Sequence, residues 1–126
     1  MNPLSNRPAR RLAVLTCMDC RIDPLASLGL QLGDAVVLRN AGAEASDDML
    51  RSLAMARDAL GVSEVQVVAH TDCAAHGGDD DAAAAGARQA VARIRGSLAG
   101  LRATPALLDL ASGEVSRPAA ARPPSG

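Results

Sequence analysis

The chain has 126 residues and a formal net charge of −1, so it is long enough for one domain and has no excess positive charge with which to bind nucleic acid or an anionic membrane. It contains no Phe, Tyr or Trp, which excludes the aromatic stacking surfaces of single-strand nucleic-acid binders and leaves Leu, Val and Ala to build a thin core. All 13 basic residues are arginine, so chemistry based on a lysine nucleophile is excluded as well.

Apolar runs and helical patterns alternate along the first half of the chain. Short apolar runs predict strands over residues 12–16, 35–38 and 64–69. Before the last of these, Ser46 is a candidate N-cap for a helix that ends at Gly61. Strand, helix and strand in this order form a βαβ unit. The sequence therefore predicts an α/β fold with a central, mostly parallel β-sheet flanked by helices.

The second half of the chain has weaker patterns. Asp79 and the two aspartates after it are typical of a helix start, and the predicted helix runs to about Leu101. Residues 107–115 predict a strand followed by a turn. The predicted organisation is an N-terminal arm over residues 1–11, a single domain over 12–115 and a disordered tail over 116–126.

Residues with metal-binding chemistry follow two of the predicted strands. Cys17 ends the first strand, with Asp19 and Arg21 at alternate positions after it, and His70 and Cys73 end the third. Ligands of parallel sheets bind outside the carboxyl ends of the strands, so the two segments can meet in one site. Two thiolates and one imidazole form a three-ligand zinc set that leaves a fourth position for water. This pattern indicates a catalytic zinc site.

Other interpretations of these residues stay open. Cys17, Cys20, His70 and Cys73 together could form a closed Cys3His structural site, although Cys20 would point away from Cys17 in an extended segment. Cys17 and Cys20 alone could be a thioredoxin-like redox pair, which leaves the other two residues without a role. His76 is close enough in sequence to serve as a proton relay, and a solvated loop histidine is the plainer interpretation.

The chain resembles the β-class carbonic anhydrases in two separate motifs. The C-x-D-x-R motif appears as Cys-Met-Asp-Cys-Arg at residues 17–21, and the H-x-x-C motif appears as His-Thr-Asp-Cys at 70–73. The resemblance extends from residue 12 to residue 73 and is fainter over 107–115. The surrounding segments are similar too, namely Arg-Asn-Ala-Gly at 39–42 and Asp-Met-Leu-Arg-Ser-Leu at 48–53.

The resemblance implies a mechanism. Cys17, His70 and Cys73 would hold Zn²⁺, and a zinc-bound hydroxide would attack carbon dioxide to give bicarbonate and a proton in a reversible reaction. Asp19 would orient the bound water and Arg21 would pair with Asp19. In some family members this aspartate instead closes the metal site. The plain alternative for Asp19 and Arg21 is an exposed ion pair.

Departures from the family pattern leave other functions open. The family usually has glycine directly after the second cysteine ligand, and here Ala74 would be strained if its φ were positive. The segment after Cys73 is also shorter than is usual in the family. Family members often have an aromatic residue near the metal, and this chain contains none. The alternatives are a degenerate zinc-binding relative with a structural or partner-binding role, and a hydrolase of carbon disulfide or carbonyl sulfide.

Partners and location follow from the same observations. The family assembles as dimers or multiples of dimers, and a thin core favours burial against a second subunit, so we expect a homodimer or a dimer of dimers with carbon dioxide and bicarbonate as its small-molecule partners. No apolar run reaches the length of a signal peptide or of a transmembrane span. Three cysteines in such a chain are typical of a reducing compartment, and we expect the cytoplasm.

Overall fold

The computed structural model describes residues 4–117, which form a five-stranded sheet with helices packed on it. The first four strands are parallel and the fifth runs antiparallel to the fourth, as the sequence predicted for a mostly parallel sheet. The strands are β1 (Leu12–Cys17), β2 (Ala35–Asn40), β3 (Glu64–His70), β4 (Arg102–Leu108) and β5 (Val115–Ser116), and their order in the sheet is β2-β1-β3-β4-β5.

The helices are α1 (Pro24–Ser27), α2 (Asp47–Leu60) and α3 (Asp80–Ser97), with a 3₁₀ turn over Ala74–His76. Both predicted ends of α2 are confirmed. The Ser46 side chain accepts a hydrogen bond from the Met49 N–H, and Gly61 follows the helix with a φ of +74°. None of the helices in the described part of the chain has the length and hydrophobicity that crossing a membrane requires.

The region after α3 differs from the prediction. The helix ends at Ser97 rather than near Leu101, because Leu101 leaves the helix and enters the core, where it is buried. Strand β4 begins at Arg102 rather than at residue 107. Pro105 lies inside β4, and proline argues against a central strand. The strand is nevertheless possible because, among the described residues, β5 pairs only with Leu107 and Leu108 of β4. At Pro105 strand β4 is therefore the edge of the sheet, where a missing N–H donor is tolerated.

The two ends of the described chain bear on the predicted arm and tail. Ser116 belongs to β5, where it pairs with Leu107, although the tail was expected to begin at this residue. Residues 1–3 of the arm and 118–126 of the tail lie outside the described residues.

The core lies between the sheet and its helices, and strands β1 and β3 are at the centre of it. Every residue of β1 is buried, and Leu15, Leu53 and Ile94 are among the largest fully buried side chains. Thr16 and Val68 are paired in the parallel register of β1 and β3. The two strands therefore end side by side, which brings the segments after Cys17 and His70 together at one edge of the sheet.

Candidate metal centre

Cys17, His70 and Cys73 form a compact group at the carboxyl ends of β1 and β3. Their ligand atoms all lie within 4.8 Å of one another, and all three residues are buried. The sulfur atoms of Cys17 and Cys73 are 4.0 Å apart. The residues that the sequence singled out as metal ligands are therefore positioned to hold one metal ion.

The imidazole of His70 is oriented for a metal. Its Nδ1 lies 2.8 Å from the carbonyl oxygen of Thr71, and because a carbonyl only accepts, Nδ1 carries the proton. Nε2 then has a free lone pair, and it is buried without a hydrogen-bond partner among residues 4–117. A buried nitrogen without a partner is costly unless something else satisfies it, and a metal ion does so.

The two thiols complete a donor set that suits zinc. Burial raises the pKa of Cys73, the nearby Cys17 sulfur raises it further, and the backbone N–H groups of Ala75 and His76 act in the opposite direction. The Cys17 sulfur accepts a hydrogen bond from the Gly42 N–H at 3.4 Å. A cation is what such buried thiols need in order to ionise, and thiolate and imidazole ligands are typical of zinc.

Asp19 and Arg21 form a two-pronged ion pair beside the ligands. The Arg21 Nε donates to Asp19 Oδ1 at 3.0 Å and Nη2 donates to Oδ2 at 2.7 Å, while the Arg21 backbone N–H also donates to Oδ1. These bonds hold the pKa of the Asp19 carboxyl well below its usual range. Asp19 Oδ2 is 4.0 Å from His70 Nε2, so a fixed carboxylate lies next to the free ligand atom.

Arg21 also joins the two ligand segments. Its Nη1 donates to the Asp72 carboxylate and its Nη2 donates to the Asp72 carbonyl, both at 3.1 Å. Asp72 lies between the ligands His70 and Cys73 and has a φ of +54°, which is rare for a residue with a side chain. One guanidinium therefore ties the segment after β1 to the segment after β3.

Arg39 at the end of β2 is a site residue that the sequence did not single out. Its Nε donates to the carbonyl of Cys17 at 2.8 Å, its Nη2 donates to that of Asp19 at 2.7 Å, and its Nη1 lies 3.4 Å from that of Ile22. In the sequence this residue belongs only to the Arg-Asn-Ala-Gly segment that resembles the family. The signal that would have found it is a charged residue at the carboxyl end of a strand that neighbours β1.

Asn40 closes the loop that contacts Cys17. Its side-chain amide donates to the Glu44 carbonyl at 2.8 Å, and its side-chain oxygen accepts from the Glu44 N–H at 2.9 Å. Within this loop Gly42 has a φ of +80°, a conformation that favours glycine. The closed loop presents the Gly42 N–H to the Cys17 sulfur.

The structure decides two questions about neighbouring residues that the sequence leaves open. Cys20 is exposed and lies outside the ligand group, so it does not complete a Cys3His site. Ala74 begins the 3₁₀ turn with a negative φ, and positive φ occurs instead at Gly77 and Gly78. The strain that alanine would suffer with a positive φ at position 74 is therefore absent.

An open pocket of about 610 Å³ adjoins the ligands. Cys17, Asp19 and Arg21 line one part of it. The rest of the wall is formed by Met18 and Cys20 and by three small apolar side chains, those of Ala41, Ala74 and Ala75. A small, uncharged molecule fits such a pocket, because apolar walls make few demands for hydrogen bonds.

The sequence of this chain is similar to that of known proteins. A family model described as carbonic anhydrase matches residues 12–114. The chain is similar to β-carbonic anhydrase 1 of Mycobacterium tuberculosis, with 44% identity over 71 residues that cover 56% of this chain and 44% of the relative. It is also similar to a carbon disulfide hydrolase of Acidianus sp., with 50% identity over 64 residues that cover 51% of this chain and 31% of the relative. The chain thus spans less than half the length of these curated relatives.

A solved structure gives a more extensive match. The carbonic anhydrase of Streptococcus mutans is 30% identical to this chain, with a TM-score of 0.85, and the match covers 93% of this chain and 86% of that one. The likeness therefore includes the strands and helices after Cys73 as well as the two ligand segments.

Proposed function

Since the chain belongs to the β class of the carbonic anhydrase family, we propose that it catalyses the reversible hydration of carbon dioxide to bicarbonate and a proton. The observation that carries this proposal is the buried, unpartnered Nε2 of His70 among two thiols, with an ionised Asp19 beside it. Zinc, when bound by Cys17, His70 and Cys73, supplies the Lewis acidity that makes water nucleophilic at a pH of about 7.

Asp19 orients the attacking water in this proposal. A carboxylate can only accept hydrogen bonds, so a water that donates to Asp19 keeps its lone pairs free for the carbon atom. Arg21 keeps Asp19 ionised and fixes its plane through two parallel hydrogen bonds. Both carboxylate oxygens accept hydrogen bonds from Arg21, so a form in which Asp19 itself closes the metal site competes with this ion pair for the carboxylate. The geometry thus supports the open form.

The pocket supports carbon dioxide as the substrate. The molecule is small and has no net charge or dipole, so apolar walls such as Ala41, Ala74 and Ala75 can hold it next to the ligands without a dedicated hydrogen bond. Arg21 is half-exposed in the same pocket and carries the charge that a leaving bicarbonate would meet.

Stopped-flow measurement of carbon dioxide hydration on zinc-replete protein tests the proposal. We expect a rate well above that of buffer, one zinc per chain, and loss of both in Cys73→Ser. Cys20→Ser is the matched control because Cys20 lines the same pocket outside the ligand group, and it should keep its zinc. Binding of one zinc per chain without hydration activity would refute the proposed enzymatic activity and favour a degenerate relative that binds zinc in a structural or partner-binding role.

Hydrolysis of carbon disulfide or carbonyl sulfide is the second candidate. It is supported by the similarity to the Acidianus carbon disulfide hydrolase and by a pocket whose apolar wall is formed largely of alanines. Sulfide release from carbon disulfide, compared with carbon dioxide hydration on the same preparation, separates the two activities. Sulfide release that exceeds the hydration rate would replace the first candidate by the second.

We also propose that the protein is a homodimer or a dimer of dimers. On the side away from β1, strand β2 has no partner among the described residues, and Leu4, Leu32 and Val37 are exposed there or in the neighbouring segments. Light scattering after size exclusion, at micromolar concentration, should give a mass of at least two chains. A folded monomer with full zinc content would contradict this expectation.

The proposed location is the cytoplasm, where thiols stay reduced. All three cysteines are free, and two of them must be thiolates to hold zinc. Transfer of the protein to an oxidising buffer should release the metal, which a colorimetric zinc assay would detect. Zinc that stays bound under such conditions would remove this support.

A further inference from the structure

The imidazole of His76 lies in a slot between two glycines. A Cβ atom at Gly86 in α3 would lie only 2.8 Å from Cε1 of this ring and 3.2 Å from Nε2. A Cβ atom at Gly42 would lie 3.3 Å from the same Nε2. Gly86 is inside the regular helix α3, where glycine lowers stability relative to alanine and its backbone conformation does not require glycine. The missing side chain therefore matters because it leaves space for the ring of His76.

The slot borders the loop that contacts the Cys17 sulfur. The ring nitrogen Nε2 of His76 is 3.4 Å from the Gly42 carbonyl oxygen, and the Gly42 N–H is the donor to Cys17. Arg93, two helical turns after Gly86 on the same side of α3, donates to the Ala45 carbonyl at the far end of this loop. Helix α3 thus supports the loop at two points, through the ring held against Gly86 and through Arg93.

His76 faces away from the pocket proposed for the substrate. It lines a separate cavity of about 170 Å³ together with Arg93 and Gln89. It is not among the residues that line the pocket beside Asp19 and Arg21. This position argues for support of the ligand loop rather than for the proton relay considered from the sequence.

We propose that His76 is a positioning residue for the Cys17 ligand and that Gly86 provides the space for its ring. The packed ring limits the movement of Gly42 and keeps its N–H directed at the Cys17 sulfur. Hydrogen bonds to a ligand atom tune how strongly that ligand binds the metal. The inference rests on the metal centre of the proposed function, and it assigns the contact that keeps one of its ligands in place.

Gly86→Ala tests this inference, with metal affinity and a spectrum as readouts. The added methyl group should displace the ring, weaken zinc binding about 10-fold and shift the thiolate-to-metal charge-transfer band of the Co²⁺-substituted protein. Gly96→Ala is the matched control, because Gly96 is in the same helix and nothing lies within 4 Å of an added Cβ. It should leave both the affinity and the band unchanged.

The double variant Gly86→Ala/His76→Ala separates positioning from a general loss of stability. Removal of the ring abolishes the clash, so the double variant should bind zinc as tightly as His76→Ala alone. The inference is overturned if Gly86→Ala keeps the wild-type affinity and band, or if the two losses add. Failure of the wild type to bind Co²⁺ would overturn this inference and the metal centre together. Bound Co²⁺ with no carbon dioxide hydration by the zinc form would overturn the proposed activity alone.

Discussion

Two arginines act at the metal centre through the shape of their side chains as well as their charge. Arg39 reaches carbonyl oxygens of the segment after β1, and Arg21 binds both oxygens of Asp19 and two oxygens of Asp72. A planar guanidinium can direct several N–H groups at once, whereas a lysine ammonium offers one point of charge. At the scale of single residues, the ligand segments therefore depend on donor geometry.

Arg39→Lys tests this dependence. The variant keeps the charge but loses the planar group that contacts the Cys17 and Asp19 carbonyls, so zinc affinity should fall by about 10- to 100-fold and carbon dioxide hydration should fall with it. Arg51→Lys is the control, because Arg51 is exposed and, in the part of the chain that the structure describes, its side chain bonds only to Asp48. Equal zinc affinities in the two variants, measured by chelator competition, would contradict the role of Arg39.

Asp19 predicts how stability depends on pH. Its pKa is lowered from 3.8 in the folded protein, chiefly by the hydrogen bonds from Arg21, so the ionised group stabilises the folded state above pH 3.8 and the contribution is lost as pH falls towards the folded-state pKa. The difference in unfolding free energy between the metal-free wild type and Asp19→Asn should be constant from about pH 8 to 5 and shrink below about pH 4. Urea unfolding across this range measures it. A difference in unfolding free energy that grows as the pH falls would contradict the lowered pKa of Asp19.

At the scale of elements, the ends of helices and loops determine where the ligands lie. Helix α2 begins at an N-cap and ends at a left-handed glycine, and both signals are local. The loops that carry the site are less regular, since Ala43 and Asp72 have positive φ without being glycine. Hydrogen bonds hold these loops in place, from Asn40 to Glu44 in one case and from Arg21 to Asp72 in the other.

The C-cap of α2 provides a test of backbone strain. Gly61 has a φ of +74°, and an added Cβ would meet only the flexible end of Arg7, so Gly61→Ala should cost about 1–2 kcal/mol of unfolding free energy through its backbone alone. Gly96→Ala, in the last turn of α3, should instead raise stability, by less than the roughly 0.5–1 kcal/mol that applies in the middle of a helix. Urea denaturation of both variants measures the two signs, and a neutral Gly61→Ala would contradict the assigned cap.

At the scale of the whole molecule, the metal centre connects distant parts of the chain. Cys17 and Cys73 are 56 positions apart, and the strands that lead to them, β1 and β3, are neighbours inside the sheet. The core that holds them contains no aromatic side chain, so it lacks the largest single contributions to apolar burial. A bound ion that joins β1 to the segment after β3 would therefore contribute a large part of the stability.

Metal removal tests this contribution. A ligand present at 1,000 times its Kd stabilises the folded state by about 4.1 kcal/mol. Chelation should lower the melting temperature of the wild type and of Cys20→Ser by several degrees and leave that of Cys73→Ser unchanged. Differential scanning fluorimetry with and without chelator measures this. A similar shift in all three proteins would indicate that the metal acts elsewhere.

The sequence by itself determined the parts of this protein that depend on local order. Apolar runs predicted the strands that end at Cys17 and His70, and the rule that parallel strands end at one edge was enough to bring the ligands together. The caps of α2 were also predictable, because a cap is formed by residues within a few positions of each other. The boundary between α3 and β4 was wrong, since burial of Leu101 and the open edge at Pro105 are properties of the folded sheet.

Only the tertiary structure decided which residues support the ligands. Arg39 in β2 donates to the carbonyl of Cys17 in the neighbouring strand β1. The ring of His76 fits beside Gly86 because α3 packs there, and Cys20 is exposed and lies outside the ligand group. These contacts depend on which strands and helices become neighbours, and the sequence alone does not give that order. The candidate ligand set was readable from the chain because Cys17 and His70 end strands and Cys73 follows His70 by three residues, whereas its support depends on how the strands and helices pack.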